Sequence, residues 1–264
     1  MVTLPPEGAM AEQLAAFRAG KALTLPPMAQ LHTVLGGVPL VLHLTLDDDP
    51  IQNAHRAGRF YEGEELARVA TLLPKAPVVL DVGANIGNHS LYFALKTGAK
   101  QVIPVEPNPA ALPALVANVL VNRLSETISL AYLGFGLGER DESGFGMKVH
   151  RRNLGATKMY AGAGGPLSVR RGDAVFADLT PDLVKIDVEG MEMEVLRGLG
   201  DVIARAQPVL MIEVGTERSE EFAEWALERG YLIHTHRTVS RSNDNYILLP
   251  SGHPAAQVSE EENA

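Results

Sequence analysis

From residue 78 onward, the chain alternates short apolar runs with stretches of helical periodicity. Apolar residues recur every three or four positions in most of the intervening stretches, as they do after Gly190 and between Glu217 and Arg229. Strands that alternate with helices are typical of a parallel sheet with helices on its faces. The pattern therefore predicts an α/β fold with main strands at 78–83, 101–105, 128–133, 183–188 and 208–214.

The last two apolar runs indicate a different pairing. Tyr231 to His236 and Tyr246 to Leu249 are joined by a polar stretch, Ser240 to Asn245. Two strands connected in this way pair as an antiparallel ribbon. We expect the ribbon at the edge of the sheet.

Three further segments flank or interrupt the alternation. Residues 1–58 contain a helical pattern and a Gly-Gly hairpin, so we predict an arm packed on a body formed by residues 59–250. Residues 136–182 contain many glycines and no long helix, and we expect them to cover the carboxyl end of the sheet. Residues 251–264 end in three glutamates and an Asn-Ala pair, which predicts a disordered acidic tail.

Composition narrows the classes of protein that fit this pattern. Of 264 residues, 46% are apolar and 21% are charged, which is typical of a globular protein with a buried core. Lys and Arg number 23 against 32 Asp and Glu, so the formal net charge of -9 argues against a nucleic-acid partner. Cysteine is absent, which excludes disulfides, thiolate metal sites and a cysteine nucleophile.

The first residues and the longest apolar tracts bear on location. Met1 to Phe17 carries no basic residue, unlike a secretory signal peptide. The longest apolar tract, Val34 to Leu46, is interrupted by glycine and proline and is shorter than the roughly 20 residues that span a bilayer. We therefore expect a soluble cytoplasmic protein without a membrane partner.

The first chemically informative motif lies between the first predicted strand and the next helix. Asp81, Gly83, Asn85 and Gly87 stand in the sequence Asp-Val-Gly-Ala-Asn-Ile-Gly, whose small residues let a ligand approach the main chain. The dinucleotide fingerprint G-x-G-x-x-G is the alternative, but asparagines replace two of its glycines here. A carboxylate repels pyrophosphate and attracts a sulfonium or ammonium group, so Asp81 favours S-adenosylmethionine as the cofactor.

The second and third motifs place acids at the ends of two further strands. Glu106 follows the second strand, where a carboxylate can accept both ribose hydroxyls, a device that NAD enzymes share. Asp187 and Glu189 follow the fourth strand and should share one side of it. In a purely structural alternative, Glu189 caps the next helix and Lys185 forms a salt bridge with an acid.

Together these motifs resemble the FkbM family of S-adenosylmethionine-dependent methyltransferases. The resemblance rests on D-V-G-A-N-I-G at 81–87, E-P-N-P at 106–109 and K-I-D-V-E-G at 185–190, and extends over about Arg59 to Leu249. It also includes Phe60-Tyr61-Glu62. It implies a class I methyltransferase (Rossmann-like) sheet of seven strands with the last antiparallel, and O-methylation of a sugar or natural-product hydroxyl.

The resemblance also implies roles for single residues. Asp81, Gly83, Asn85 and Gly87 would line the methionine end of the cofactor, joined by Asp187, while Glu106 would bind the ribose. Pro107 and Asn108 would lie on the adenine side, and Tyr61 and Glu62 would help to close the site. The chain departs from common versions of the family pattern at Asn88-His89, which leaves the identity of the methyl acceptor open.

An aliphatic hydroxyl must lose its proton during methyl transfer, and a positioned base accelerates this step by roughly 10² to 10⁴. Our candidate bases are Asp187 and Glu189, ahead of His89. A divalent metal ion held by carboxylates is an alternative that we do not favour, and we assign no metal ligands. The predicted partner is a small-molecule hydroxyl acceptor. An NAD-dependent oxidoreductase, an N or protein acceptor and a homo-oligomer stay open.

Overall fold

The computed structural model describes residues 9–148, 150, 152–162, 164–240 and 242–256. They form the predicted α/β fold. Its helices are α1 (Ala9–Arg18), α2 (Pro50–Arg56), α3 (Gly63–Leu72), α4 (Asn88–Lys96), α5 (Leu112–Val121), α6 (Gly172–Val175), α7 (Glu192–Gly198), α8 (Gly200–Ala206) and α9 (Ser219–Glu228). Its strands are β1 (Ala29–Leu35), β2 (Val38–Leu44), β3 (Val78–Val82), β4 (Gln101–Val105), β5 (Gly136–Gly138), β6 (Glu142–Lys148), β7 (Lys158–Tyr160), β8 (Leu167–Arg171), β9 (Leu183–Ile186), β10 (Val209–Gly215), β11 (Tyr231–Thr238) and β12 (Asn243–Pro250).

The main sheet has the strand order β11-β12-β10-β9-β3-β4. β3 pairs in parallel with both β4 and β9, and β10 pairs in parallel with β9. β12 is antiparallel to both of its neighbours. The sheet therefore confirms the predicted parallel body and the antiparallel ribbon at its edge.

The predicted strand at 128–133 does not form as an extended strand. Ile128 makes an isolated parallel bridge to Val102, and Leu133 makes one to Glu106. Between these bridges, residues 130–132 turn into a short 3-10 helix that begins where the Ser129 hydroxyl accepts the Ala131 N–H. Within the described residues the main sheet thus has six strands, with a seventh position occupied only by the two bridges.

The N-terminal arm packs on the main sheet through a hairpin and two asparagines. β1 and β2 pair antiparallel around Gly36 and Gly37, both of which have positive φ angles, as the two-residue turn requires. On α5, Asn118 Oδ1 accepts the His43 N–H at 2.6 Å, and Asn122 accepts from and donates to the backbone of Val41. These side-chain amides form hydrogen bonds with backbone groups on the outer edge of β2, so they join the arm to the body.

A second, smaller sheet covers the carboxyl end of the main sheet, as predicted for residues 136–182. Its order is β5-β8-β6-β7. It attaches to the body where α7 crosses β5, at a contact so close that a Cβ atom on Gly198 would overlap the carbonyl group of Gly138. The cover is therefore held against the body by backbone-to-backbone packing.

The C-terminal residues differ from the predicted disordered tail. His253 Nε2 lies 3.0 Å from the Leu72 carbonyl oxygen, and Ala256 is buried in the core beneath the helices. Residues 251–256 therefore pack on the body, while residues 257–264 lie outside the described residues. No helix of the described chain has the length and apolar character that a membrane span requires.

Replacing Gly198 by alanine tests the attachment of the cover. We expect Gly198→Ala to lower the free energy of unfolding by about 1–3 kcal/mol, because the new methyl group must displace the Gly138 carbonyl. Gly252→Ala is the matched control, since a Cβ atom there meets nothing within 4 Å. Urea denaturation followed by circular dichroism measures both, and equal stability of the two variants would contradict the packing argument.

Candidate active site

A cleft of about 600 Å³, partly open to solvent, lies between the carboxyl ends of β3, β4 and β9 and the cover. Open α/β sheets bind their ligands at this edge. Seven residues predicted from the motifs line the cleft, and they are Gly83, Asn85, Glu106, Pro107, Asn108, Asp187 and Glu189. The motifs therefore predicted seven of the residues that line this cleft.

Glu106 is held rigidly at the floor of the cleft. Its Oε2 accepts the Asn85 N–H and its Oε1 accepts the Asn108 N–H, both at 2.7 Å. Burial raises its pKa to about 7, against the opposing effect of these two hydrogen bonds. Each carboxylate oxygen has capacity for a further hydrogen bond, so Glu106 is oriented to accept a pair of adjacent hydroxyl groups.

The glycines in the loop after β3 allow close packing of the backbone as well as access for a ligand. A Cβ atom on Gly83 would overlap the carbonyl group of Asp187, and its φ of +80° also disfavours other residues. Asn85 adopts φ +52°, a conformation that asparagine tolerates better than most side chains. Gly87, the residue before α4, has φ +93° and does not line the cleft. The loop thus brings the ends of β3 and β9 together.

Asp81 does not line the cleft, which corrects its predicted contact with the cofactor. Its side chain is completely buried, and its Oδ2 accepts the Ser90 hydroxyl at 2.6 Å. Lys185 Nζ lies 3.3 Å from the other oxygen of Asp81, 3.6 Å from Asp187 and 2.8 Å from the Gly83 carbonyl oxygen. The salt bridge proposed for Lys185 in the structural alternative is therefore present.

Lys185 is an ammonium group buried under the sheet edge. Burial alone disfavours its charged form, but the carboxylates of Asp81 and Asp187 outweigh burial and raise its pKa. Lys185 consequently stays protonated. It compensates the negative charge of Asp81 inside the protein, which leaves Glu106, Asp187 and Glu189 as the acids that line the cleft.

Three carboxylates converge beside the cleft, of which the sequence predicted two. Oxygens of Asp187, Glu189 and Glu213 all lie within 4.8 Å of one another. Burial, reinforced by the neighbouring acids, raises the pKa of Glu189 to about 8 and that of Glu213 to about 7. Burial likewise raises the pKa of Asp187. These shifts favour the protonated form of each of the three carboxyl groups relative to a free carboxyl group.

Glu189 does not cap the following helix. Helix α7 has no side-chain cap, and the nearby Glu192 Oε1 accepts the Gly190 N–H at 2.6 Å just before the helix begins. Glu189 has φ +56° and instead lies 3.9 Å from Lys158 of the cover. Carboxylates at this spacing are also the ligands that a divalent cation prefers. Here Lys158 and Lys185 already bring ammonium groups within 4 Å of Glu189 and Asp187, respectively.

Tyr61, Glu62 and His89 lie outside the main cleft. The Asn88 side chain accepts the Tyr61 N–H at 3.0 Å and donates to its carbonyl oxygen at 3.1 Å. The next side chain, Glu62, is bonded by His89 Nε2 at 3.2 Å and by Asn245 Nδ2 at 3.1 Å. Although burial opposes ionisation, these bonds lower the pKa of Glu62.

His89 is therefore poorly placed to act as a base, contrary to its ranking as a third candidate. Only 4% of it is exposed, and it lines neither the main cleft nor the small cavity beside Glu213. His89 is instead positioned to orient the Glu62 side chain through the hydrogen bond at its Nε2. Glu62 lies in the wall of a small second cavity, together with Asp187, Glu213 and Asn245.

The cover supplies side chains that the motifs did not identify. Met147 on β6, Met159 on β7, Leu154 and Thr157 line the cleft opposite Glu106. The sequence predicted only that residues 136–182, which include them, cover the carboxyl end of the sheet. Apolar methionines and leucine carry no distinctive spacing, so sequence pattern alone could not separate them from ordinary core residues.

Comparisons with known proteins find similarity to methyltransferases. A family model described as the methyltransferase FkbM domain matches residues 81–236, which is more than half of the chain. The AMB antimetabolite synthetase AmbE of Pseudomonas aeruginosa is 28% identical over 66% of this chain, but the match spans only 10% of AmbE. Methyltransferase sdnD of Sordaria araneosa is 24% identical over 62% of this chain and 83% of its own length.

Solved structures with similar architecture include other methyltransferases. A methyltransferase FkbM from Methylobacillus flagellatus has 23% sequence identity and a TM-score of 0.46, covering 66% of this chain and 44% of that one. TrmK from M. capricolum, in complex with S-adenosyl-homocysteine, has 16% identity and a TM-score of 0.46, covering 71% of this chain and 68% of TrmK.

Removing Lys185 tests the buried charge balance at the sheet edge. We expect Lys185→Met to lower the free energy of unfolding by about 3–5 kcal/mol, because Asp81 is left as a buried charge without its partner. Adding Asp81→Asn should recover part of this loss. Lys75→Met, at an exposed position, is the control. If Lys185→Met unfolded at the same urea concentration as the wild type, the pairing of Lys185 with Asp81 would not contribute to stability.

Proposed function

The chain belongs to the FkbM methyltransferase family, and from this premise we propose that it transfers a methyl group from S-adenosylmethionine to a hydroxyl group of a sugar or another natural-product small molecule. The observation that carries the proposal is Glu106. Two backbone N–H groups fix its carboxylate at the floor of the cleft, beside the glycine-containing loop. A ribose with two adjacent hydroxyls fits such an acceptor.

The charge of the site suits the same cofactor. When bound, S-adenosylmethionine supplies a methyl group attached to a positively charged sulfur. Asp187 and Glu189 line the cleft as acids, whereas the cleft offers no phosphate-binding arrangement of positive charge on the loop after β3. Because Asp81 is compensated by Lys185, the attraction predicted for Asp81 is reassigned to Asp187 and Glu189.

The remaining cofactor contacts follow from position along the cleft. Pro107 and Asn108 lie beyond Glu106, where an adenine ring attached to the ribose would pack. Met147 and Met159 of the cover form an apolar wall that would exclude water from the bound nucleoside. Asn85 and Gly83 would face the methionine end.

The enzyme's main task is to hold the acceptor oxygen in line with the sulfur–methyl bond. Positioning of this kind contributes about 7–11 kcal/mol in well-oriented reactions. Asp187 and Glu189 would accept the hydrogen bond from the hydroxyl and then its proton. Asp187 is the weaker base of the two, since Lys185 already pairs with it at 3.6 Å. Glu189 is therefore the primary base in this proposal.

Family membership decides between the two enzyme classes that the sequence left open. It supports a methyltransferase over an NAD-dependent oxidoreductase. The acceptor is inferred from chemistry and from relatives. Carboxylates suit the deprotonation of a hydroxyl, and one matched relative is named as a synthetase of an antimetabolite. An amine or a protein acceptor is the competing outcome.

The direct experiment supplies methyl-labelled S-adenosylmethionine with panels of sugars, hydroxylated polyketides, amines and proteins. We expect label to enter a hydroxyl-bearing small molecule, identified by mass spectrometry. Label that enters only amines or proteins would replace the proposed acceptor. A protein that binds no S-adenosylmethionine would refute the proposal as a whole.

The role of Glu106 predicts a large effect on cofactor affinity. Glu106→Ala removes a charged hydrogen-bond acceptor, which should weaken S-adenosylmethionine binding by about 10- to 150-fold, equivalent to about 1.5–3 kcal/mol. Isothermal titration calorimetry measures the change. Glu126→Ala, on the exposed turn after α5, should leave affinity unchanged. Wild-type affinity in Glu106→Ala would mean that the ribose lies elsewhere.

The role of Glu189 predicts a separation of turnover from binding. We expect Glu189→Gln to slow methyl transfer by about 10²-fold or more while cofactor affinity changes little, because the base acts on the acceptor. A base with a pKa near 8 must lose its proton first, so wild-type kcat/KM should rise with pH up to about 8. The variant should lack this rise, and a variant with wild-type rate and profile would remove Glu189 from the mechanism.

A further inference from the structure

Glu213 is a carboxylate that the sequence motifs do not mark, yet the sheet places it beside the candidate bases. In the parallel pairing of β10 with β9, Ile212 lies opposite Ile186. Glu213 and Asp187 therefore occupy equivalent positions on neighbouring strands, and side chains at equivalent positions point to the same face. The oxygens of Glu213, Asp187 and Glu189 accordingly converge within 4.8 Å.

The charge environment distinguishes Glu213 from the other two acids. Asp187 has Lys185 at 3.6 Å, and Glu189 has Lys158 at 3.9 Å. Among the described residues, no lysine, arginine or histidine nitrogen lies within ion-pair distance of Glu213. Its Oε1 accepts a hydrogen bond from Asn243 Nδ2, a neutral donor. Glu213 therefore has no direct ion-pair partner, and burial and Asp187 raise its pKa more than Asn243 and the more distant Lys185 lower it.

A buried amide oxygen next to Glu213 provides a second indication that a ligand binds here. Asn245 lies directly across from Glu213 in the pairing of β12 with β10, and it is 5% exposed. It lines the small cavity that Glu213 and Asp187 share. Its Oδ1 has no hydrogen-bond partner among the described residues. A buried acceptor of this kind is stabilised by a hydrogen-bond donor, such as a hydroxyl group of a bound acceptor molecule.

We propose that Glu213 is a further catalytic residue, which together with Glu189 forms the pair of carboxylates that receives the proton of the acceptor hydroxyl. The inference rests on the proposed function. In the step, the hydroxyl oxygen forms a bond to the methyl carbon as the carbon–sulfur bond breaks, and the electron pair of that bond stays on sulfur. The hydroxyl proton passes to the Glu189–Glu213 pair and later to solvent.

The charges around Glu189 and Glu213 support the proposal that these two residues, and not Asp187, receive the proton. Asp187 already pairs with Lys185 at 3.6 Å, and the oxygens of Glu189 and Glu213 lie within 4.8 Å of each other, so the proton passes more readily to the Glu189–Glu213 pair than to Asp187. Burial and Asp187 raise the pKa of Glu213 to about 7, close to the value that suits a base at neutral pH. The titratable and charged groups that face the pair are Glu62, Lys158, Lys185, Asp187 and Glu192.

The experiment compares proton release on binding of S-adenosylmethionine and S-adenosylhomocysteine, the second of which lacks the positive sulfur. Calorimetry at pH 7.5 in two buffers of different ionisation enthalpy gives the number of protons released. We expect wild-type protein to release more protons with S-adenosylmethionine, because the sulfonium favours ionised carboxylates. Glu213→Gln should lose a large part of this difference while cofactor affinity stays within about threefold of wild type.

Turnover provides the second readout, with the hydroxyl acceptor that the labelled panel yields. Glu213→Gln should slow it by about 10²-fold, and the double variant with Glu189→Gln should be slowed by less than the product of the single effects. Glu220→Gln, on an exposed position of α9, is the matched control and should behave as wild type in both assays. Glu213→Asp keeps the acid, so it should retain proton release even though its turnover falls.

The outcomes separate the two proposals. A wild-type protein that binds no S-adenosylmethionine refutes the proposed function and this inference with it. A wild-type protein that binds and transfers methyl groups, with Glu213→Gln unchanged in either proton release or turnover, overturns the role of Glu213 alone. Circular dichroism and thermal melting establish that the glutamine variant is folded, and if it is not, Glu213→Asp with wild-type turnover overturns the role instead.

Discussion

The ammonium group of Lys185 is the interaction on which the geometry of the site depends. It bonds the Gly83 carbonyl oxygen and neutralises Asp81, which belong to β3 and its following loop, and it also pairs with Asp187 at the end of β9. One buried cation thus ties together the two strand ends between which the cleft opens. Its charge can remain buried because two carboxylates and a carbonyl replace the water that it gives up.

The same interaction determines where negative charge remains available. Since Asp81 is compensated inside the protein, the acids that reach the cleft or its neighbouring cavity are Glu106, Asp187, Glu189 and Glu213. Two backbone N–H groups hold the carboxylate of Glu106, whereas oxygens of the other three acids converge on one another. The convergent acids can be partly protonated in the empty protein and ionise when a cation binds. In the proposed reaction, cofactor charge and acceptor deprotonation would therefore be linked through one group of carboxylates.

Much of the fold and part of the site followed from the sequence, for physical reasons. Strand–helix alternation and the position of acids after strands are local properties, so β3, β4, β9 and the cleft residues that follow them were predicted. The role of Asp81 was not, because whether an acid faces a ligand or a buried lysine depends on tertiary packing. Glu213 sits within an apolar strand without a motif, and only the register of β10 against β9 brings it to Asp187. The strand predicted at 128–133 was interrupted because its middle residues form a 3-10 turn.

The contacts of Asn88 and His89 indicate which part of the site is affected by the departure from the family pattern at these two positions. Neither side chain lines the cofactor cleft. Asn88 fixes the backbone of Tyr61 through two hydrogen bonds, and His89 bonds Glu62, which forms a wall of the cavity that contains Glu213. Substitutions at these two positions would therefore reshape the acceptor side of the site and leave the Glu106 side unchanged. Variation among relatives at this point is then expected to follow the acceptor, since the cofactor would be common to them all.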